Sequence, residues 1–158
     1  MIVKTAQELP AKGRLIGLDF GAKTIGIAIS DGTRTIASPN KTLQRQKWGK
    51  DKVHFEALIK EYNIVGAVVG LPLSMDGSHS PQTDACIAFA NMFASELSIP
   101  TLLWDERLTT KSAEIALFEQ RTGRQKRASK KDVKAQVDSV AAAMILQGTL
   151  DQLSFKMF

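Results

Sequence analysis

Apolar positions change their spacing once along the chain. Up to residue 38 they come in short runs separated by turn residues. Residues 14–19 (RLIGLD) form an apolar run ending on a carboxylate, and 24–30 (TIGIAIS) is rich in Ile. Asp31-Gly32 signals a tight turn, and 33–38 reads as a third strand closed by Pro39. The short turns predict an antiparallel meander. From Trp48 the spacing becomes helical: Val53, Phe55, Leu58, Ile59 and Tyr62 predict a helix over 48–62. Residues 64–70 (IVGAVVG) form a continuous apolar run, the mark of a strand covered on both faces. A loop over 71–81 leads to a second helix over 82–97 and a short strand over 101–104. A helix capped by Thr109 or Thr110 is expected to run to about residue 119. A last helix over 133–148 carries the stripe Val133, Val137, Val140, Ala141, Met144 and Ile145.

The order β-β-β-α-β-α-β-α-α predicts an α/β fold. Its sheet is mixed and five-stranded, three antiparallel strands followed by parallel crossovers, with helices on both faces. Residues 1–13 read as a loose lead-in, and 14–158 as a single domain. With 158 residues, 44% apolar and 23% charged, the chain suits one globular domain. Its longest apolar runs are too short for a membrane span, and MIVKTAQELPAKG is no secretory signal. The single cysteine, Cys86, excludes an internal disulfide and a Cys-based zinc cluster. A soluble, cytoplasmic protein without a membrane partner is expected.

Charge narrows the partner. Lys and Arg number 21 against 16 Asp and Glu, for a net charge of +5. Seven of the cations crowd into residues 121–134: Arg121, Arg124, Lys126, Arg127, Lys130, Lys131 and Lys134, opposed only by Asp132. Such a stretch attracts phosphates, or serves only as a solvated, solubilising loop.

Three acids occupy places where chemistry could converge. Asp19 closes the first strand, Glu106 follows the strand TLLW, and Asp138 lies beside the apolar stripe of the last helix. Each has an ordinary reading: a turn residue, a helix start, a solvated helix position. Gathered together they would repel one another unless a hard divalent cation such as Mg²⁺ or Mn²⁺ neutralised them. Gly21 and Gly26, in DFGAKTIGIAISD, permit close approach of a phosphate or of neighbouring backbone.

Four blocks then carry a resemblance: RLIGLDFGAKTIGIAISD (14–31), VVGLPLSMDGSHSPQT (68–83), LWDERLTT (103–110) and VDSVAAAMILQGTL (137–150). In sequence and order they resemble the YqgF family, known as Holliday-junction resolvases and as pre-16S rRNA nucleases with a ribonuclease-H-like fold. The resemblance implies that Asp19, Glu106 and Asp138 are catalytic, metal-binding carboxylates of an endonuclease of the two-metal-ion type. It implies Mg²⁺ or Mn²⁺ as cofactor and cleavage leaving 5′-phosphate and 3′-hydroxyl ends.

Lys23, Arg107, Lys111, Arg124, Lys126 and Arg127 are the candidate nucleic-acid contacts. The expected activity is processing of the pre-16S rRNA 5′ end, with resolution of four-way DNA junctions in recombination and repair as the alternative. A non-catalytic nucleic-acid-binding domain and an actin-like phosphotransferase are further readings. The first is disfavoured by the three acids, the second by a length that supplies one domain where two are needed. A two-fold junction asks for a homodimer, whereas an RNA end needs only a monomer.

Overall fold

The computed structural model describes residues 1–108 and 130–155, apart from the side chains of 130–136 and 155. The expected helix after Thr109 or Thr110 lies outside them. So do Lys111, Arg124, Lys126 and Arg127.

Six strands form one mixed sheet. They are β1 (Ile2–Val3), β2 (Arg14–Phe20), β3 (Thr24–Ser30), β4 (Ala37–Gln44), β5 (Ile64–Leu71) and β6 (Thr101–Asp105), in the order β1-β6-β5-β2-β3-β4. β2, β3 and β4 are antiparallel neighbours, and β5, β6 and β1 join in parallel. The sheet therefore has one strand more than the five expected. The addition is β1, from the supposed lead-in: Ile2 and Val3 pair with Thr101 and Leu102. A 3-10 helix (Ala6–Glu8) follows, closed by a capping box between Thr5 and Glu8, and Val3, Ala6 and Leu9 are buried. Two paired residues are too short to leave a periodic signal, so the sequence pattern missed them.

The third strand also differs from expectation. It runs through Pro39 instead of stopping there, and begins at Ala37. Asp31 accounts for the late start: its carboxylate accepts from the backbone N–H of Thr35 and Ile36 and holds 31–36 as a turn. Pro39 is tolerated because β4 is an edge strand and its register slips beside Asn40.

Helices cover both faces. α1 (Trp48–Tyr62) and α2 (Pro81–Leu97) pack Phe55, Leu58, Phe89 and Phe93 on Ile16, Leu18, Ile25, Ile27 and Val69. α3 (Lys130–Phe155) covers the opposite face, with Ala142, Ile145, Leu146 and Leu150 against Leu15, Ala28, Val68 and Trp104. It starts earlier than predicted, so Lys130 and Lys131 of the basic stretch join Lys134 in a helix instead of lying in a loop. Cys86 and Trp104 are core residues, and Trp48 joins an aromatic cluster with Phe55 and Phe89. Among the described residues no helix is long and apolar enough to cross a membrane.

α3 lies unusually close to the sheet because glycines receive it. A Cβ at Gly17 would stand 2.7 Å from Leu146 Cβ and 2.9 Å from the Ala142 carbonyl oxygen. At Gly26 it would stand 2.0 Å from the carbonyl oxygen of Asp138. The small residues that permit the approach are in the strands as well as in the helix.

Candidate active site

Strand alternation fixes where Asp19 points. In β2, Leu15 belongs to the α3-side core, while Ile16, Leu18 and Phe20 belong to the α1/α2 side. Gly17 faces α3 directly. Asp19, two residues on, therefore faces α3 as well. It is half-buried and pairs across the sheet with Gly26, the glycine on which the backbone of Asp138 rests.

On the other flank of β2 the parallel register runs to Leu18↔Val69, which places Gly70 of β5 beside Asp19. A Cβ at Gly70 would stand 3.1 Å from Glu106 Cδ and 2.5 Å from Ile145 Cδ1. The side chain of Glu106, just beyond β6 in a 3-10 helix (Glu106–Leu108), thus lies over Gly70 on the α3 side of the sheet. Two glycines flank Asp19, and each has one of the other two acids pressed onto it.

The site takes shape through this absence of side chains. Gly26 lets Asp138 settle onto the sheet, and Gly70 leaves room for the Glu106 carboxylate. Asp138 is also held directly, since Thr24 Oγ1 donates to its Oδ2 at 2.8 Å. Thr24 left no sequence signal, because a threonine opening a strand is ordinary. The isolated glycines did leave one, and Gly26 resolves as a close approach of helix backbone.

All three groups offer carboxylate oxygen, the donor chemistry that hard divalent cations take. As they stand, no three His, Cys, Asp or Glu groups among the described residues form a closed metal-ligand cluster.

Arg107 has a clear structural task. Its Nε donates to both oxygens of Asp105, at 3.0 and 3.1 Å, and Nη2 to Asp105 Oδ2 at 2.7 Å. Nη1 reaches the carbonyl oxygen of Met75 at 3.3 Å. The pair ties the loop after β5 to the end of β6, alongside Glu106. The Arg107 hydrogen bonds hold the Asp105 carboxyl below its ordinary pKa and raise that of Arg107 in turn. Sequence reading singled out Arg107 but not Asp105, its partner two residues earlier.

Lys23 is exposed in the β2–β3 turn that follows Asp19. In the 71–81 loop, the Ser80 hydroxyl caps α2 by accepting from Thr83 N, and His79 Nδ1 lies 3.2 Å from Asp84 Oδ1. Both have local structural partners.

Comparison with known proteins follows the same lines. A family model described as RuvX, Holliday junction resolvase, matches residues 13–152. A protein named "Putative pre-16S rRNA nuclease" from Cereibacter sphaeroides (strain ATCC 17025) is 46% identical over 147 residues, 93% of this chain and 88% of its own length. One of the same name from Novosphingobium aromaticivorans is 44% identical over 162 residues, covering all of both chains. Among solved structures, Thermus thermophilus RuvC in complex with Holliday junction substrate superposes with a TM-score of 0.56 at 11% identity, covering 90% of this chain and 96% of that one. The yeast mitochondrial Holliday junction resolvase Ydc2 gives 0.54 at 13% identity, over 97% of this chain and 85% of that one. At those identities the structures speak for the fold alone, and the fold is that of the ribonuclease-H-like resolvases.

Proposed function

We propose a nuclease activity from the premise that this chain belongs to the RuvX family, described as Holliday junction resolvases. The observation that carries the reading is the meeting of three elements at one corner of the sheet. Asp19 lies between two glycines, one carrying the side chain of Glu106 and the other the backbone of Asp138. The substrate is a nucleic acid. The names of the relatives at about 45% identity favour precursor 16S rRNA; to that the proposal adds a cut at the 5′ end by a chain acting as a monomer. Junction resolution by a homodimer is the second reading, favoured by the description of the family.

In this mechanism Asp19, Glu106 and Asp138 would hold Mg²⁺ or Mn²⁺. Such ions, in a two-ion arrangement, would supply an activated water and neutralise the leaving oxygen. The chain's own residues do the positioning. Thr24 orients the Asp138 carboxylate, and the Asp105–Arg107 pair fixes the loop beside Glu106. Lys23, Lys111 and the cations of 121–134 would neutralise substrate phosphates.

The test is Mn²⁺-dependent cleavage of a precursor 16S rRNA fragment and a mobile four-way DNA junction, side by side, with Asp19→Asn as control. Faster cleavage of the RNA, absent in the control, supports the reading. Cleavage of the junction alone selects resolution. Binding without cleavage of either makes the chain a non-catalytic nucleic-acid-binding domain.

A further inference from the structure

The turn that follows Asp19 is held from outside its own hairpin, by Arg45. Residues 21–23 join β2 to β3, and Arg45 stands one residue past the end of β4. Its backbone N–H donates to Lys23 O at 2.9 Å. Its Nη1 donates to Gly21 O at 2.8 Å and to Ala22 O at 2.9 Å. Its guanidinium lies over the ring of Phe20, 4.1 Å from the centroid. That ring is itself fixed, being buried with Phe89 edge-on at 4.3 Å.

One face and one amino group of the guanidinium are thus spent, yet Arg45 is exposed. Among the described residues no ion pair includes it, and its side-chain hydrogen bonds all leave from Nη1. Arg107 is the contrast, with Nε and Nη2 on the Asp105 carboxylate and Nη1 on Met75 O. No carboxylate offsets Arg45 in this way. From Gly21 to Lys50 the chain carries one acid, Asp31, at the far end of β3. Lys23 and Lys47, also exposed, add to the positive charge at the near end. What remains to Arg45 is Nε–H and Nη2, an edge of the guanidinium that fits two oxygens of one phosphate.

We propose that Arg45 binds a backbone phosphate of the nucleic-acid substrate through this edge. The contact rests on the nuclease reading, since the turn adjoins Asp19. Phe20 faces the α1/α2 side of the sheet and Asp19 the α3 side, so the substrate strand would cross the rim at the turn to reach Arg45. Gly21 lies about 7 Å beyond Asp19 along the strand, against about 3.4 Å per stacked nucleotide. The phosphate is therefore two or more nucleotides from the cut. Phe20 and the two carbonyls hold the guanidinium before the substrate arrives, which lowers the entropy lost on binding. The sequence reading passed over Arg45, because its partners lie 24 and 23 positions earlier.

The test measures binding of the precursor 16S rRNA fragment and the four-way DNA junction to the full chain, over a range of salt and in EDTA, so that cleavage plays no part. On the ligand that the parent binds more tightly, Arg45→Gln should lower affinity about tenfold. It should also flatten the slope of log K against log salt by about 0.7–1, the loss of one phosphate contact. Arg45→Lys keeps the charge without the fork, and should restore the slope but only part of the affinity. Lys60→Gln, the same loss of charge at the other end of α1, should leave both as in the parent.

A residue that only staples the turn would lower Tm and leave the salt slope alone, so an unchanged slope in Arg45→Gln overturns the proposal. Should that variant fail to fold, as read by circular dichroism, the Nε–H nuclear magnetic resonance signal of Arg45 in the parent decides. It should shift when the ligand binds, and a signal that stays in place overturns the contact. Unchanged slope in a chain that cuts nucleic acid with Mn²⁺ would remove Arg45 alone. A flattened slope in a chain that cuts neither ligand would overturn the nuclease reading and leave the contact standing. Binding of neither ligand would overturn both.

Discussion

Gly26→Ala probes the candidate site at its tightest point. The new Cβ would stand 2.0 Å from the carbonyl oxygen of Asp138 and 2.5 Å from its carbonyl carbon. Real Cβ atoms do not come closer than 3.0 Å, and both obstacles are backbone, so α3 must retreat by about 1 Å at this turn. Overpacking of this kind costs about 1–3 kcal/mol. For a chain of this length that lowers Tm by roughly 3–10 °C. The same retreat carries Asp138 away from Asp19, and a misplacement of about 1 Å between catalytic groups costs on the order of 100-fold in rate. Thermal melts and initial rates of Mn²⁺-dependent cleavage, taken well below the melting range, measure the two effects separately. Gly49→Ala in α1 is the control. Nothing lies within 4 Å of a Cβ there, and alanine is the better helix former, by about 1 kcal/mol. Gly26→Ala with the Tm and rate of the parent would refute the close seating of α3 and the role drawn from it.

Other consequences are as direct. Replacing Arg124, Lys126 and Arg127 with Gln should weaken nucleic-acid binding and flatten the slope of log K against log salt by about 2–3; an unchanged slope would reduce the stretch to a solubilising surface. Leu9→Ala should destabilise by about 2–5 kcal/mol in urea titrations, because Leu9 is 4% exposed in the α3-side core; a loss under 1 kcal/mol would return residues 1–13 to a loose lead-in. Asp105, with its pKa depressed in the fold by Arg107, contributes stability above its unfolded pKa and loses it as pH falls through the lower folded value. Stability curves of the parent and Asp105→Asn should therefore converge in acid, and a gap that persists there would show the pair to be inert.

The sequence foretold the mixed sheet and most of the element order along the chain, because its patterns differ in kind. The Ile-rich runs over 14–30 carry their own turns, and the uninterrupted run over 64–70 can only be a covered strand. The helix over 48–62 ends where Asn63 turns left-handed, at φ 54°. What escaped was decided by contacts distant in sequence. β1 exists because Ile2 and Val3 find Thr101 and Leu102. β4 passes Pro39 because it lies at an edge. The three acids could be named from their places, two at strand ends and one beside the apolar stripe of a helix. Their surroundings could not: Gly70, Thr24 and Asp105 matter through partners 36, 114 and 2 positions away, namely Glu106, Asp138 and Arg107. Gly26 was legible as a site of close approach, and only the fold shows that a helix backbone is what approaches.

The nuclease reading stands on the proposal that Asp19, Glu106 and Asp138 together hold divalent cations. Mn²⁺ binding by the folded full chain, read from the free-ion electron paramagnetic resonance signal, tests it without reference to any substrate. Binding should be saturable in the parent and lost in Asp19→Asn and Asp138→Asn, with melting temperatures near that of the parent. Undiminished Mn²⁺ binding in either variant would contradict it.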